Sequence, residues 1–112
     1  MVEKETEKKI SQLQMMEQSM QTFLIQKQQF QAQLVEMESA LKELEKSKEA
    51  YKIVGNIMVS GNKEDIENDL KKKKEIVELR IKTLEKQENQ IKEKASTVQA
   101  EVMKELKEKK KD

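Results

Sequence analysis

The stretch Tyr51-Lys52-Ile53-Val54-Gly55-Asn56-Ile57-Met58-Val59 lies at the middle of a chain of 112 residues and differs from everything on either side of it. Its β-branched and aromatic residues favour a strand, and Gly55-Asn56 suits a two-residue hairpin turn with glycine at the first central position. The reading is a β-hairpin in which Val54 pairs with Ile57 and Ile53 with Met58. Apolar side chains then stand on both faces. One face could lie on the chain's own helices, and the other needs a partner. A two-stranded hairpin alone is marginal in water, and its edges offer unpaired backbone groups to any neighbouring strand. A plain helix-to-helix connection would be polar and roughly two to eight residues long.

On the N-terminal side, residues from about Thr6 to Lys48 include neither Gly nor Pro, and Gln, Glu, Lys, Leu and Met dominate. All are good helix formers. At ~1.5 Å per residue this arm extends roughly 65 Å. Its apolar residues follow an alternating three-and-four spacing through Leu13, Met16, Met20, Phe23, Lys27, Phe30, Leu34, Met37, Leu41 and Leu44, broken only at Lys27. On the C-terminal side the same spacing runs through Val77, Ile81, Leu84, Glu88, Ile91, Ala95, Val98 and Val102, broken only at Glu88. A sustained 3.5-residue period with charged flanks specifies a coiled coil. Laid antiparallel, facing residues have numbers that add to 111: Leu13 with Val98, Met20 with Ile91, Phe30 with Ile81, Leu34 with Val77, Leu41 with Leu70.

Ser60-Gly61-Asn62 closes the second strand. Asn62 is placed to cap the second helix, with Glu64 and Asp65 putting negative charge in its first turn and Lys107 and Lys109 to Lys111 suiting its other end. The expected fold is all-α dominated, an antiparallel two-helix coiled coil with one central β-hairpin that joins an intersubunit β-barrel. It forms one domain over 1–112, divided into an N-terminal helix (1–49), the hairpin (50–61) and a C-terminal helix (62–110). Closing several hairpins edge to edge would cover both faces and remove the open edges.

Composition narrows the function. Charged residues make up 40% and aromatics 3%, with no proline, cysteine, histidine or tryptophan. Without His or Cys, and with carboxylates scattered along solvent-facing stripes among lysines, nothing converges for acid–base, nucleophilic or metal chemistry. No enzyme activity, cofactor or metal is expected. Lys and Arg (23) nearly balance Asp and Glu (22), which argues against nucleic acid and membrane surfaces as partners. The run Lys71 to Lys74 points in every direction around a helix and is flanked by Glu67, Asp69, Glu75 and Glu78, so it reads as a solvated helix. No apolar run approaches the ~20 residues of a membrane span, and Met1 to Glu5 is too charged for a secretory signal. A cytoplasmic location is expected.

Two features point to function. Lys27 and Glu88 fall in adjacent layers of the register, where a diagonal ion pair would fix alignment. At the end of the arms away from the hairpin, Ile10, Leu13, Met15, Met16 and Met20 face Val98, Val102, Met103 and Leu106. Methionine is flexible and polarisable, and surfaces that accept varied partners overuse it. Met15, Met103 and Leu106 lie beside the seam, and fraying helix ends should expose apolar surface there.

The segment Tyr51 to Val59 resembles the β-type subunit of prefoldin, in which a Tyr/Phe-Lys-x-Val-Gly-x-x-x-Val hairpin links two coiled-coil helices. The similarity covers essentially the whole chain, but only this segment is specific. Many relatives have proline where this chain has Asn56, and either residue fits a tight turn. A single hairpin is similar to the β class, since α-type subunits carry another.

The resemblance implies a hexamer with α-type prefoldin subunits and copies of itself, built on a double β-barrel. It implies capture of unfolded proteins at the coiled-coil tips without ATP, and delivery to a group II chaperonin. Tyr51, Ile53, Val54, Gly55, Ile57, Met58 and Val59 would carry assembly. Ile10, Leu13, Met16, Met20, Val98, Val102 and Met103 would carry client contact, with Met15 and Leu106 beside them. The alternative is a structural coiled-coil adaptor that tethers one folded partner.

Overall fold

A computed structural model describes residues 3–110, with side chains from 3 to 108. In chain order the elements are helix α1 (Lys4–Lys46), strand β1 (Ala50–Val54), strand β2 (Ile57–Gly61) and helix α2 (Lys63–Lys110). Lys111, expected to suit the end of the second helix, lies outside the described residues. The chain forms two compact units, one made of Met1–Gln26 with Thr83–Asp112, the other of Lys27–Lys82.

The unit Lys27–Lys82 is built around the hairpin. β1 and β2 are antiparallel in the expected register, with Val54 opposite Ile57 and Ile53 opposite Met58, extended outward through Lys52 and Val59, Tyr51 and Ser60, and Ala50 and Gly61. Gly55 has φ +62° and, among the described residues, no non-glycine residue has positive φ, so glycine occupies the turn position that an L side chain resists. α1 stops without Gly or Pro. The Ser47 hydroxyl donates to the Glu49 carbonyl oxygen (2.6 Å) and accepts from the Glu49 amide (3.3 Å), a local alternative to the helical ladder that turns the chain toward β1. α2 starts at a true cap, because Asn62 Oδ1 accepts from the amides of Glu64 (2.9 Å) and Asp65 (3.4 Å).

Within this unit the two helices run side by side in the expected register. Lys74 reaches Glu38 (3.7 Å), and the Arg80 guanidinium lies 5.8 Å from the centre of the Phe30 ring. The numbers in these pairs add to 112 and 110, which brackets the expected 111. Val77 and Ala50 are buried, and Phe30, Leu34, Met37, Leu41, Leu44, Ile66, Leu70 and Ile81 are partly buried. Gly61 packs so closely that an added Cβ would meet Ile66 Cδ1 at 2.8 Å.

The unit of Met1–Gln26 and Thr83–Asp112 obeys the same register. Thr6 bonds to Glu105, and Lys9 to both Glu101 (3.3 Å) and Glu105 (2.5 Å). Leu84, Val98 and Val102 are buried, while Ile10, Leu13, Met16, Met20, Phe23, Ile91 and Ala95 are partly so. Thr22 and Thr97 sit inside helices by donating their hydroxyls to the carbonyls of Gln18 and Glu93 (3.1 Å each), four residues back. Among the described residues no helix is long and apolar enough to cross a membrane.

Candidate functional site

The hairpin displays what it was expected to bury. Tyr51, Ile53, Val54, Ile57, Met58 and Val59 are all exposed, from 42% for Val59 to 69% for Ile53. Strand alternation puts Tyr51, Ile53, Met58 and Ser60 on one face and Ala50, Lys52, Val54, Ile57, Val59 and Gly61 on the other. Only Ala50 is buried, so the chain's own helices cover neither face beyond the strand root. That corrects the expectation that one face could rest on them. The physical reason is reach: at the root Gly61 packs against Ile66 of α2, while farther along β1 Tyr51 and Ile53 stand across an open groove from Ile66 and Leu70.

A groove of about 270 Å³ lies between β1 and α2, lined by Tyr51, Lys52 and Ile53 from the strand and by Ile66, Asp69, Leu70 and Lys73 from the helix. On its margin the Tyr51 hydroxyl donates to Glu49 Oε2 (2.6 Å). Because that bond needs the phenolic proton, it holds the Tyr51 pKa above the ordinary tyrosine value, with partial desolvation adding in the same direction.

In the unit that carries the chain ends, the residues expected to contact a client fall into two groups. Ile10, Leu13, Met16 and Met20 on α1 and Leu106 on α2 are partly buried, and Val98 and Val102 are buried. Met15 (66%) and Met103 (54%) stand open to solvent. Leu106 was expected beside the seam and exposed, yet it turns partly inward. Met15 borders a shallow depression of about 310 Å³ with Gln18, Ser19, Thr22 and Phe23. Lys27 and Glu88, the polar breaks in the two apolar series, are both partly buried as seam positions are, and they belong to different units.

The sequence reading missed the polar cluster of Thr6, Lys9, Glu101 and Glu105. Thr6 is the most enclosed side chain among the described residues, at 2% exposure. Its hydroxyl donates to Glu105, whose other carboxylate oxygen accepts from Lys9. The Glu105 and Glu101 carboxylates hold the Lys9 pKa above the ordinary lysine value, the bond to Glu105 contributing most and partial desolvation opposing it. A signal for this cluster was present. Stepping back from Leu13 by four and three gives Lys9 and Thr6, and stepping on from Val102 by three gives Glu105, so the seam runs on into polar residues.

Two long helices in antiparallel register, joined by a hairpin whose apolar side chains stand uncovered, define a coiled-coil protein of the two-helix, single-hairpin class. Residues 7–109 match the family described as prefoldin subunit. The prefoldin subunit beta of Archaeoglobus fulgidus is 42% identical over 93 residues, covering 80% of each chain. That of Pyrobaculum neutrophilum is 40% identical over 90 residues, covering 78% of this chain and 71% of the relative. The crystal structure of the prefoldin beta subunit from Thermococcus strain KS-1 superposes with a TM-score of 0.85 at 31% identity, covering 93% of this chain and 94% of the other. The chain belongs to the prefoldin subunit family, in its β-type branch, a family of non-catalytic chaperone subunits.

Proposed function

We propose that this chain is one subunit of an ATP-independent chaperone in the cytoplasm, joining α-type subunits and copies of itself in a hexamer through Tyr51 to Val59. It captures unfolded polypeptides where the two ends of the chain come together and passes them to a group II chaperonin. The observation that carries the reading is the uncovered hairpin, because exposed apolar strands with open edges are stable in water only when further strands pair with them. Met15 and Met103, exposed in the unit of the chain ends, support client contact there, with Ile10, Leu13, Met16, Met20, Val98, Val102 and Leu106 forming the apolar layers behind. Several subunits acting together would hold a client through weak contacts, each raising the effective concentration of the next.

The test has two parts. Native mass is measured for the chain alone and mixed with an α-type subunit, with a defined higher-mass hetero-oligomer expected from the mixture. Suppression of aggregation of a chemically unfolded protein is then measured before and after removing about 15 residues from each end of the chain. Loss of suppression is expected. Unchanged suppression would relocate the client site or favour a structural adaptor that binds one folded partner.

A further inference from the structure

The most enclosed side chain at the chain ends is a threonine, not an apolar residue. Thr6 and Lys9 lie on α1 and Glu101 and Glu105 on α2, and three polar contacts tie the first turns of α1 to the C-terminal part of α2. Glu101 and Glu105 are four residues apart on one helix face, a spacing at which like charges repel. The Lys9 ammonium, 3.3 Å from one carboxylate and 2.5 Å from the other, offsets that repulsion from the opposite helix. Directly inward lie the apolar layers of Ile10, Leu13, Val98 and Val102.

We propose that Thr6, Lys9, Glu101 and Glu105 form a polar latch that holds the two helix ends closed over these layers and makes them available to a client only when it opens. The gating part rests on the capture reading above, whereas the latch itself does not. An apolar closure in its place would offer clients surface continuously and would expose it to self-association. A latch of ion pairs opens at modest cost, and screening by salt weakens it.

The test uses the full-length chain, assembled with its partner subunit, and two near-isosteric variants, Lys9→Gln and Glu105→Gln. Hydrogen exchange is followed at amides of residues 8–12 and 100–106. Each variant is expected to exchange about threefold faster there at low salt, the scale of one partly exposed ion pair. Raising salt from about 0.05 to about 0.5 M should accelerate the wild type and narrow the difference between it and the variants. Suppression of client aggregation should rise in both variants.

Exchange that is equal in wild type and variants at both salt concentrations overturns the latch, whatever happens to suppression. Faster exchange without a gain in suppression overturns the gate while leaving the capture reading intact, provided truncation of the ends still abolishes suppression. If truncation does not abolish it, the capture reading fails and the gate with it, and exchange alone then decides whether a latch exists.

Discussion

At the scale of single residues, backbone conformation and charge account for the most specific expectations. Gly55 holds φ +62° with nothing within 4 Å of where a Cβ would stand, so Gly55→Ala meets no clash and is opposed by the backbone alone. The left-handed conformation costs an L residue about 1–2 kcal/mol, and a lower thermal midpoint with faster amide exchange in β1 and β2 is the expected outcome. An unchanged midpoint and exchange pattern would mean that the turn relaxes to another type. Lys9 and Tyr51 define a pH window. Each has a folded-state pKa above its usual value of 10.5 or 10.0, so the protonated form is the one that folding favours. Their contribution is complete below about pH 10 and is lost as pH rises through the raised values. Thermal midpoints should fall from pH 10 upward. They should fall less steeply in Lys9→Gln and Tyr51→Phe, and equal slopes in wild type and variants would show that these contacts contribute nothing.

At the scale of elements, the cap and the seam separate residues of similar chemistry. Asn62 Oδ1 accepts two amides at the start of α2, and Asn62→Ala should lower stability by about 1 kcal/mol, read from the urea midpoint. Leu84 is 7% exposed and Leu79 is 65% exposed, on the same helix five residues apart. Leu84→Ala should cost about 2–3 kcal/mol, toward the low end for buried leucine because a two-helix seam can close partly over the gap. Leu79→Ala should fall within about 0.5 kcal/mol of wild type. Equal losses at both positions would contradict the seam assignment. These elements were legible because their causes are local or periodic: a two-residue turn, a cap acting over two or three residues, and a spacing of three and four. The end of α1 was less so, since Lys46 rather than Lys48 or Glu49 ends it through a serine side chain competing for the backbone.

At the scale of the whole molecule, the proposed function gives the hairpin a role that depends on other chains. Ile53 and Met58 are opposite one another on one face, 69% and 65% exposed. Replacing both by lysine should leave the helical circular dichroism signal intact and reduce the native mass of the mixture with an α-type subunit to that of separate chains. Retention of the oligomer would remove this face from assembly. The residues by themselves determined the antiparallel register, the hairpin and its turn, because apolar period and glycine placement leave few other ways to bury the seam side chains. Only the tertiary structure decided that the chain leaves both hairpin faces uncovered, that Leu106 turns inward while Met15 and Met103 stand out, and which charges close the ends. The chain has 23 basic and 22 acidic side chains, and composition treats them alike. Thr6 and Glu105 become partners only when two helices bring residues 99 apart in sequence to the same layer and the same side, and that azimuth is a property of packing, not of spacing along the chain.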